Sequence, residues 1–330
     1  MKNRLSKLGE FGLIDRIRAG QKKPGRGVLI GIGDDAAAFA LSRGTVGVAT
    51  IDTLVEGTHF DRSYMTYADI GWKAMAANLS DIAAMAGIPL MALVSLTLTG
   101  RQTVRDIDQL YQGMRALADR HGVSIAGGDL VKGREFSITI TVTGECAGNN
   151  LGLRSGVKAG DAVLVTGSLG ASQAGMELLT AKCQMPNAKL VEKHLRPVPR
   201  VDEGIALARK IKLHGMIDIS DGLASELGHL CEESQCGIVI DQGALPVADA
   251  AITAARLLCK DPLEYCLSSG EEYELLFTLP LNDAVRAKAL LENMGTHCTI
   301  IGQAVKGRGA QIIGQDGRVR RLTHLGFRHF

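Results

Sequence analysis

The sequence predicts an α/β protein of two domains, and three observations carry that prediction. Apolar stretches with strand periodicity alternate with helical ones along most of the chain. The length, 330 residues, suits two ordinary domains better than one. A polar, glycine-containing turn, Ala147-Gly148-Asn149-Asn150, falls between two such series and places a domain boundary there, giving residues 1–147 and 148–330.

In the first series Thr45–Ile51 predicts a strand, Ala68–Ala86 a helix, Met91–Leu98 a strand and Val104–His121 a helix. Ser124–Ala126 and Phe136–Cys146 predict two more strands. In the latter, Phe136, Ile138, Ile140 and Val142 alternate with Ser137, Thr139, Thr141 and Thr143, the pattern of one buried and one open face. In the second series Asp161–Thr166, Met216–Ile219, Gly237–Ile240, Leu275–Leu279 and Cys298–Gln303 predict strands, with helices between most of them. Asp316-Gly317 marks a hairpin turn near the end. Gln21–Gly27, with two Lys, a Pro and two Gly, predicts an exposed loop.

Composition narrows the function classes. Hydrophobic residues make up 46% and charged residues 22%, as in a soluble globular protein. The 37 basic and 35 acidic side chains leave a net charge of only +2, which gives no reason to expect nucleic acid or a membrane as partner. The N-terminus lacks the apolar core of a signal peptide, and no apolar run is long enough to span a bilayer, so a cytoplasmic protein is expected. The seven cysteines show no CxxC or Cys/His zinc spacing and sit in apolar stretches, as buried thiols do.

The chemistry is carried by aspartates. An apolar strand, then Asp, then Gly or a short polar turn recurs as Gly31-Ile32-Gly33-Asp34-Asp35, Ala49-Thr50-Ile51-Asp52-Thr53, Ile125-Ala126-Gly127-Gly128-Asp129 and Ile217-Asp218-Ile219-Ser220-Asp221-Gly222. Asp81 interrupts an otherwise Ala-rich helix. One such Asp is ordinary turn or capping chemistry. Several of one sign beside strand cores repel unless cations sit among them. An Asp-rich donor set poor in His and Cys suits magnesium, which bridges to substrate phosphates. The adjacent glycines let backbone N–H groups approach anions. Together these features point to phosphoryl transfer, although GxxxxGK[ST], a complete GxGxxG and the protein-kinase loops are absent.

On these residues the chain resembles the thiamine-monophosphate kinase family, within the superfamily that includes aminoimidazole ribonucleotide synthetase. The resemblance runs through Gly9-Glu10-Phe11, Ile30–Ala36, Asp52–Phe60, Lys73–Pro89, Gly127–Asp129, Leu153–Gly156, His194–Arg200, Ile217–Leu223, Gly270–Phe277 and Gly326–Phe330. It implies an N-terminal domain that pairs with its twin into a shared β-barrel, hence a homodimer, and a C-terminal α/β domain. It further implies ATP as co-substrate and several magnesium ions, held by Asp35, Asp52, Asp81, Asp129, Asp218 and Asp221, with Thr50 and the main chain of Ile51 as further metal contacts. Gly128, Asp129, Arg154 and Ser220 match ATP-binding positions, and His59, Glu271 and Phe327 match positions that contact thiamine monophosphate. Ile51 stands where the family often has Thr, Leu130-Val131 follows Gly-Gly-Asp where Thr is common, and Glu272 replaces a frequent Asp.

The implied reaction joins the γ-phosphoryl group of ATP to the acceptor's phosphate. That phosphate has a second pKa near ~6 and is largely dianionic at neutral pH, so no side-chain base is required. An aminoimidazole ribonucleotide synthetase-like ATP-dependent enzyme is the alternative. Selenophosphate synthetase is disfavoured because the first Cys is Cys146, and the hydrogenase-maturation relative because the chain ends in Phe330 instead of a modified Cys. Ser80–Pro89 has the look of half a helix-turn-helix, but Leu90–Leu98 predicts a strand where a recognition helix would follow. Taken alone, Glu271–Glu274 also suits a solvated strand edge, and Arg196–Arg200 suits a stiff connector as well as a phosphate contact.

Overall fold

The computed structural model describes residues 5–20, 26–30, 32, 36–181, 188–322 and 326. The chain divides into two units, Met1–Ile82 with Gly87–Gly148, and Ala83–Ala86 with Asn149–Phe330.

The first unit runs α1 (Leu5–Ala19), β1 (Val28–Ile30), β2 (Ala38–Phe39), β3 (Thr45–Val55), α2 (Tyr67–Ala84), β4 (Ile88–Leu98), α3 (Val104–Ala118), β5 (Ser124–Lys132) and β6 (Ser137–Ala147). Both main helices start on reciprocal caps. Thr66 and Thr103 exchange hydrogen bonds with Asp69 and Asp106, three residues on. Helix α2 ends short of the expected Ala86. Ala86 takes a left-handed φ of 54°, and the Gly87 N–H reaches back to the Ile82 carbonyl at 2.8 Å, the bond of a Schellman stop. The two helices touch backbone to backbone. A Cβ on Gly71 would lie 2.0 Å from the Leu110 carbonyl oxygen, and one on Gly113 would lie 1.9 Å from that of Ala68. Pro89 follows in β4, so the helix-turn-helix reading ends in a strand.

The sheet order is β3-β6-β4-β5, with only β4 and β5 parallel. The alternation expected in β6 holds. Ile138, Ile140 and Val142 are fully buried, while Ser137, Thr139, Thr141 and Thr143 are half-buried. Two strands are longer than expected. β3 passes through Asp52 to Val55 and β5 passes through Gly127-Gly128-Asp129 to Lys132, so these aspartates lie within edge strands instead of in turns after them. The ladder is the cause: each residue of β3 from Thr45 to Val55 has a partner on β6, and Gly127 to Lys132 pair with Leu93 to Leu98 of β4. In the expected Gln21–Gly27 loop only Arg26 and Gly27 fall within the described residues. Arg26 donates to the buried Glu145 at 2.8 Å.

The second unit runs β7 (Asp161–Thr166), α4 (Ala171–Thr180), α5 (Ala188–Leu195), α6 (Val201–Lys210), β8 (Gly215–Asp218), α7 (Leu223–Ser234), β9 (Gly237–Asp241), α8 (Asp249–Leu258), α9 (Pro262–Ser268), β10 (Leu275–Pro280), α10 (Ala284–Asn293), β11 (Cys298–Val305), β12 (Gly309–Ile313) and β13 (Val319–Arg321). Its seven strands lie in the order β13-β12-β9-β11-β7-β10-β8, with β9 and β12 the parallel pair. Leu223, Leu227 and Leu230 of α7 join Val163, Val165, Ile238, Ile240 and Leu276 of the sheet in one core. The Asp316-Gly317 turn connects β12 to β13 as expected, with Gly317 at φ 73°. Because β7, β10 and β8 are antiparallel neighbours, the end of β7, the start of β10 and the end of β8 meet at one edge of the unit.

The buried-thiol expectation needs one correction. Cys146, Cys231, Cys236, Cys266 and Cys298 are buried, but Cys259 is exposed, since it ends α8 in a left-handed conformation. Among the described residues no helix is long and apolar enough to cross a membrane.

Candidate active site

In the first unit the site residues start from strand parity. Side chains two apart share a face, so Thr50, Asp52 and Leu54 point with their partners Val142, Ile140 and Ile138 toward the buried side. There Asp81 of α2 meets the strand, and the Thr50 hydroxyl donates to its carboxylate. Asn78, one turn earlier on α2, is fully buried. Its amide donates to the Ala74 carbonyl at 3.2 Å, and its Oδ1 has no hydrogen-bond partner among the described residues. Ile51 faces the other way and is 64% exposed, so only its main chain shares the site of Thr50 and Asp52.

Asp129 is placed differently. Thr53, Thr139, Ser95 and Asp129 are successive register partners across the sheet, which puts Asp129 on the open face at the far edge strand. Its carboxylate accepts the Leu130 N–H at 2.9 Å. Beside it, Gly128 runs so close to β4 that a Cβ there would lie 1.9 Å from the Val94 carbonyl oxygen. His59 closes the turn after β3. Its Nδ1 accepts the Val55 N–H at 3.1 Å, which leaves Nε2 to carry the proton of the neutral ring. The fully buried Lys73 donates to the His59 carbonyl at 3.2 Å and holds that turn from α2.

In the second unit β8 ends at Asp218, 2% exposed, and the chain turns through Ser220-Asp221-Gly222 into α7. Gly222 has φ 120°, and a Cβ there would lie 2.9 Å from the Ser268 carbonyl. The turn is braced from within the helix. One oxygen of Glu226 accepts from Asp221 N at 2.8 Å, Ser220 N at 3.1 Å and Ser220 Oγ at 3.3 Å. Burial, together with the Asp221 charge, pushes the Glu226 carboxyl up to about 7 against those hydrogen bonds.

Glu271 lies on a segment anchored at every residue. Its N–H donates to the Ser220 carbonyl at 2.7 Å, and the Tyr273 N–H donates to that of Ile219 at 2.8 Å. Glu271 and Tyr273 both have positive φ, 58° and 50°, a conformation that costs energy for any residue with a Cβ and so needs firm support. The support lies underneath. Glu272 is fully buried and accepts from Gly170 N, Ser172 N and Ser269 Oγ at 2.7–3.0 Å, at the start of α4. Burial raises its pKa. Glu274, 1% exposed, accepts from Thr166 Oγ1 at 2.7 Å and Arg200 Nε at 2.6 Å, and it pairs with Lys193. Burial alone would raise its pKa, but Lys193 and Arg200 outweigh that and hold it at about 2. The acidic run is therefore no solvated strand edge. Arg200, on the expected connector, is an internal counter-ion. Glu271 itself is partly exposed, 3.7 Å from His194 Nδ1.

Arg154 is exposed, and its carbonyl accepts from Ser234 Oγ at 3.1 Å. Asp35 and Phe327 lie outside the described residues. Within each unit the structure brings Thr50 and Asp81 together, and Ser220, Asp221 and Glu271 together. Among the described residues no group of three or more His, Cys, Asp or Glu side chains is arranged to hold a metal ion. The donors that do gather, a threonine hydroxyl with carboxylates and no thiolate, fit a hard divalent cation such as magnesium. The roles of Glu226, Lys73 and the Lys193–Glu274–Arg200 cluster emerge only with the fold, although Arg200 and Glu274 lie in the Arg196–Arg200 and Glu271–Glu274 runs. Only Glu226 had a local signal, a Glu in the first turn of a helix opened by Ser-Asp-Gly.

Residues 33–146 match the AIR synthase related protein N-terminal domain, and residues 158–315 match the C-terminal domain of the same family. The class is thus a two-domain AIR synthase related fold, as the sequence predicts. Among curated proteins the chain is 34% identical to the thiamine-monophosphate kinase of Buchnera aphidicola subsp. Schizaphis graminum, over 97% of this chain and 98% of that one. Among solved structures it is similar to the thiamine-monophosphate kinase from Stenotrophomonas maltophilia K279a, at 33% identity and a TM-score of 0.82, covering 94% of this chain and 97% of that chain. It is equally similar in sequence, 33%, to AaThiL complexed with AMPPCP and TMP, with a TM-score of 0.78 and 99% of both chains covered. The chain belongs to the thiamine-monophosphate kinase family.

Proposed function

We propose that this chain transfers the γ-phosphoryl group of ATP directly to the phosphate of thiamine monophosphate, giving ADP and thiamine diphosphate. The observation that carries the reading is its near full-length likeness to a relative complexed with AMPPCP and TMP. The oxygen-only donors at Thr50 and Asp81 are consistent with it.

In this reading Asp35, Asp52, Asp81, Asp129, Asp218 and Asp221, with Thr50 and the Ile51 main chain, hold several magnesium ions, Asp129 from the sheet face opposite to that of Thr50 and Asp52. When bound, the metal supplies charge neutralisation between two polyanions. Gly128, Asp129, Arg154 and Ser220 take the nucleotide; the absent Cβ of Gly128 is required by the β4 backbone, so any contact there is made by its main chain. His59, Glu271 and Phe327 take thiamine monophosphate. His59 offers an Nε2–H donor from a turn pinned by Lys73, and Glu271 offers a carboxylate from a segment that cannot easily move. The acceptor oxygen is already ionised, with a phosphate pKa near ~6, so the protein's task is to align and desolvate the two phosphates. No side chain has to remove a proton.

The chain acts as a homodimer in the cytoplasm. Support for the dimer comes from the open sheet face, where Ile51 on β3 and Val131 on β5, at the two edges of the sheet, are 64% and 43% exposed. ADP release measured with thiamine monophosphate, thiamine, selenide and formylglycinamidine ribonucleotide tests the assignment. Turnover with thiamine monophosphate alone is expected, and preference for any other acceptor overturns it.

A further inference from the structure

We infer that Glu226 is the positioning residue of the Ser220–Asp221 turn, setting the nucleotide and metal affinity of that turn without touching ligand. The inference rests on the assignment above of Ser220 to ATP and Asp221 to magnesium. Three donors of the turn, two backbone N–H groups and the Ser220 hydroxyl, converge on one Glu226 oxygen. The first N–H groups ahead of a helix otherwise look for water or an anion. Here both are committed to an internal acceptor together with the Ser220 hydroxyl, so the turn is held in one shape and does not offer these amides to an anion.

The acceptor sits in a rigid place. Glu226 is 1% exposed on α7, whose neighbours Leu223 and Leu227 are fully buried in the core. Its second oxygen is buried without a hydrogen-bond partner among the described residues. A buried carboxyl with one oxygen unsatisfied is costly for folding alone, and a simpler apolar side chain would fill the same space. The three bonds to the turn are what the group provides. The opposite side of the turn is fixed as well, since the Ser220 carbonyl accepts from Glu271 N at 2.7 Å and a Cβ on Gly270 would lie 2.8 Å from that oxygen. Glu226 and the Glu271 segment therefore clamp Ser220 from two sides, coupling the nucleotide turn to the acceptor-binding residue.

The test compares Glu226→Gln, which keeps an acceptor oxygen of the same reach, with Glu226→Leu, which removes it, and Glu226→Asp, which is too short. Amide hydrogen exchange on the ligand-free protein reads the Ser220 and Asp221 N–H groups directly. Protection should be lost in Glu226→Leu and Glu226→Asp and retained in Glu226→Gln. Calorimetric affinity for AMPPCP with magnesium should fall about tenfold or more in the first two and stay within about threefold in Glu226→Gln. The KM for ATP should rise in parallel, and kcat should change less. If Glu226→Leu does not fold, Glu226→Asp against Glu226→Gln carries the comparison. Unchanged exchange, or lost protection with unchanged affinity, overturns the inference. Wild-type protein that binds AMPPCP but does not turn over thiamine monophosphate overturns the functional reading instead and leaves this test standing.

Discussion

Replacing Glu274 by Gln removes one charge from a buried carboxylate held by Lys193, Arg200 and Thr166 and changes little else in shape. Glu274 is held at about 2 by Lys193 and Arg200 against an ordinary value of 4.5. A difference of that size corresponds to roughly 3 kcal/mol of native-state stability at neutral pH. Breaking a buried ion pair from one side independently suggests about 3–5 kcal/mol. The sign follows from a depressed folded-state pKa. The contribution is fully present above about pH 4.5 and disappears as pH falls toward 2. Because Gln resembles the protonated acid, the stability gap between wild type and Glu274→Gln should be about 3 kcal/mol at pH 7 and should close between about pH 4.5 and 2. The single tryptophan, Trp72, lies in the first unit, away from this segment in the chain's division. Native-state hydrogen exchange at the amides of β8 and β10 reports on this change. A gap under about 1 kcal/mol at pH 7, or one that persists unchanged at pH 3, would refute the ion-pair account of this segment.

Asp81→Asn and Asp218→Asn, one in each unit, should each lower kcat/KM more than ~100-fold, with partial recovery at raised magnesium in steady-state assays. Near-normal turnover in both would remove them from the metal set. Glu271→Gln should raise the KM for thiamine monophosphate about tenfold while the KM for ATP moves little, since its anchoring through Glu272 and Glu274 is untouched. Sedimentation at micromolar concentration should give a dimer for wild type and a weakened one for Val131→Asp, which puts a charge on the open sheet face. A fully active monomer contradicts the dimer.

Much of this was legible in the sequence because the signals were local. The alternation of Ile138, Ile140 and Val142 marked a half-buried strand, and Asp316-Gly317 marked a hairpin. What was not legible depends on partners far along the chain. Asp52 and Gly127-Gly128-Asp129 look like strand ends because Asp and Gly are poor strand formers. Continuous pairing with β6 and β4 overrides that preference. Glu-Glu-Tyr-Glu looks solvent-facing by composition. It is buried because Lys193 and Arg200, 81 and 74 residues earlier, neutralise Glu274, and the start of α4 receives Glu272. The aspartates were found by their repetition, but strand parity separates Asp129 from Thr50 and Asp52, and parity across a sheet requires a register that no single strand encodes.

Direct transfer between phosphates is read in one reaction with γ-labelled ATP. With thiamine monophosphate the label should appear only on the terminal phosphate of thiamine diphosphate, and none should remain on protein incubated with ATP alone. Thiamine, whose alcohol lacks a pre-ionised oxygen, should take up almost no label. Label on the protein, or thiamine labelled as fast as its monophosphate, would exclude direct transfer to a phosphate acceptor.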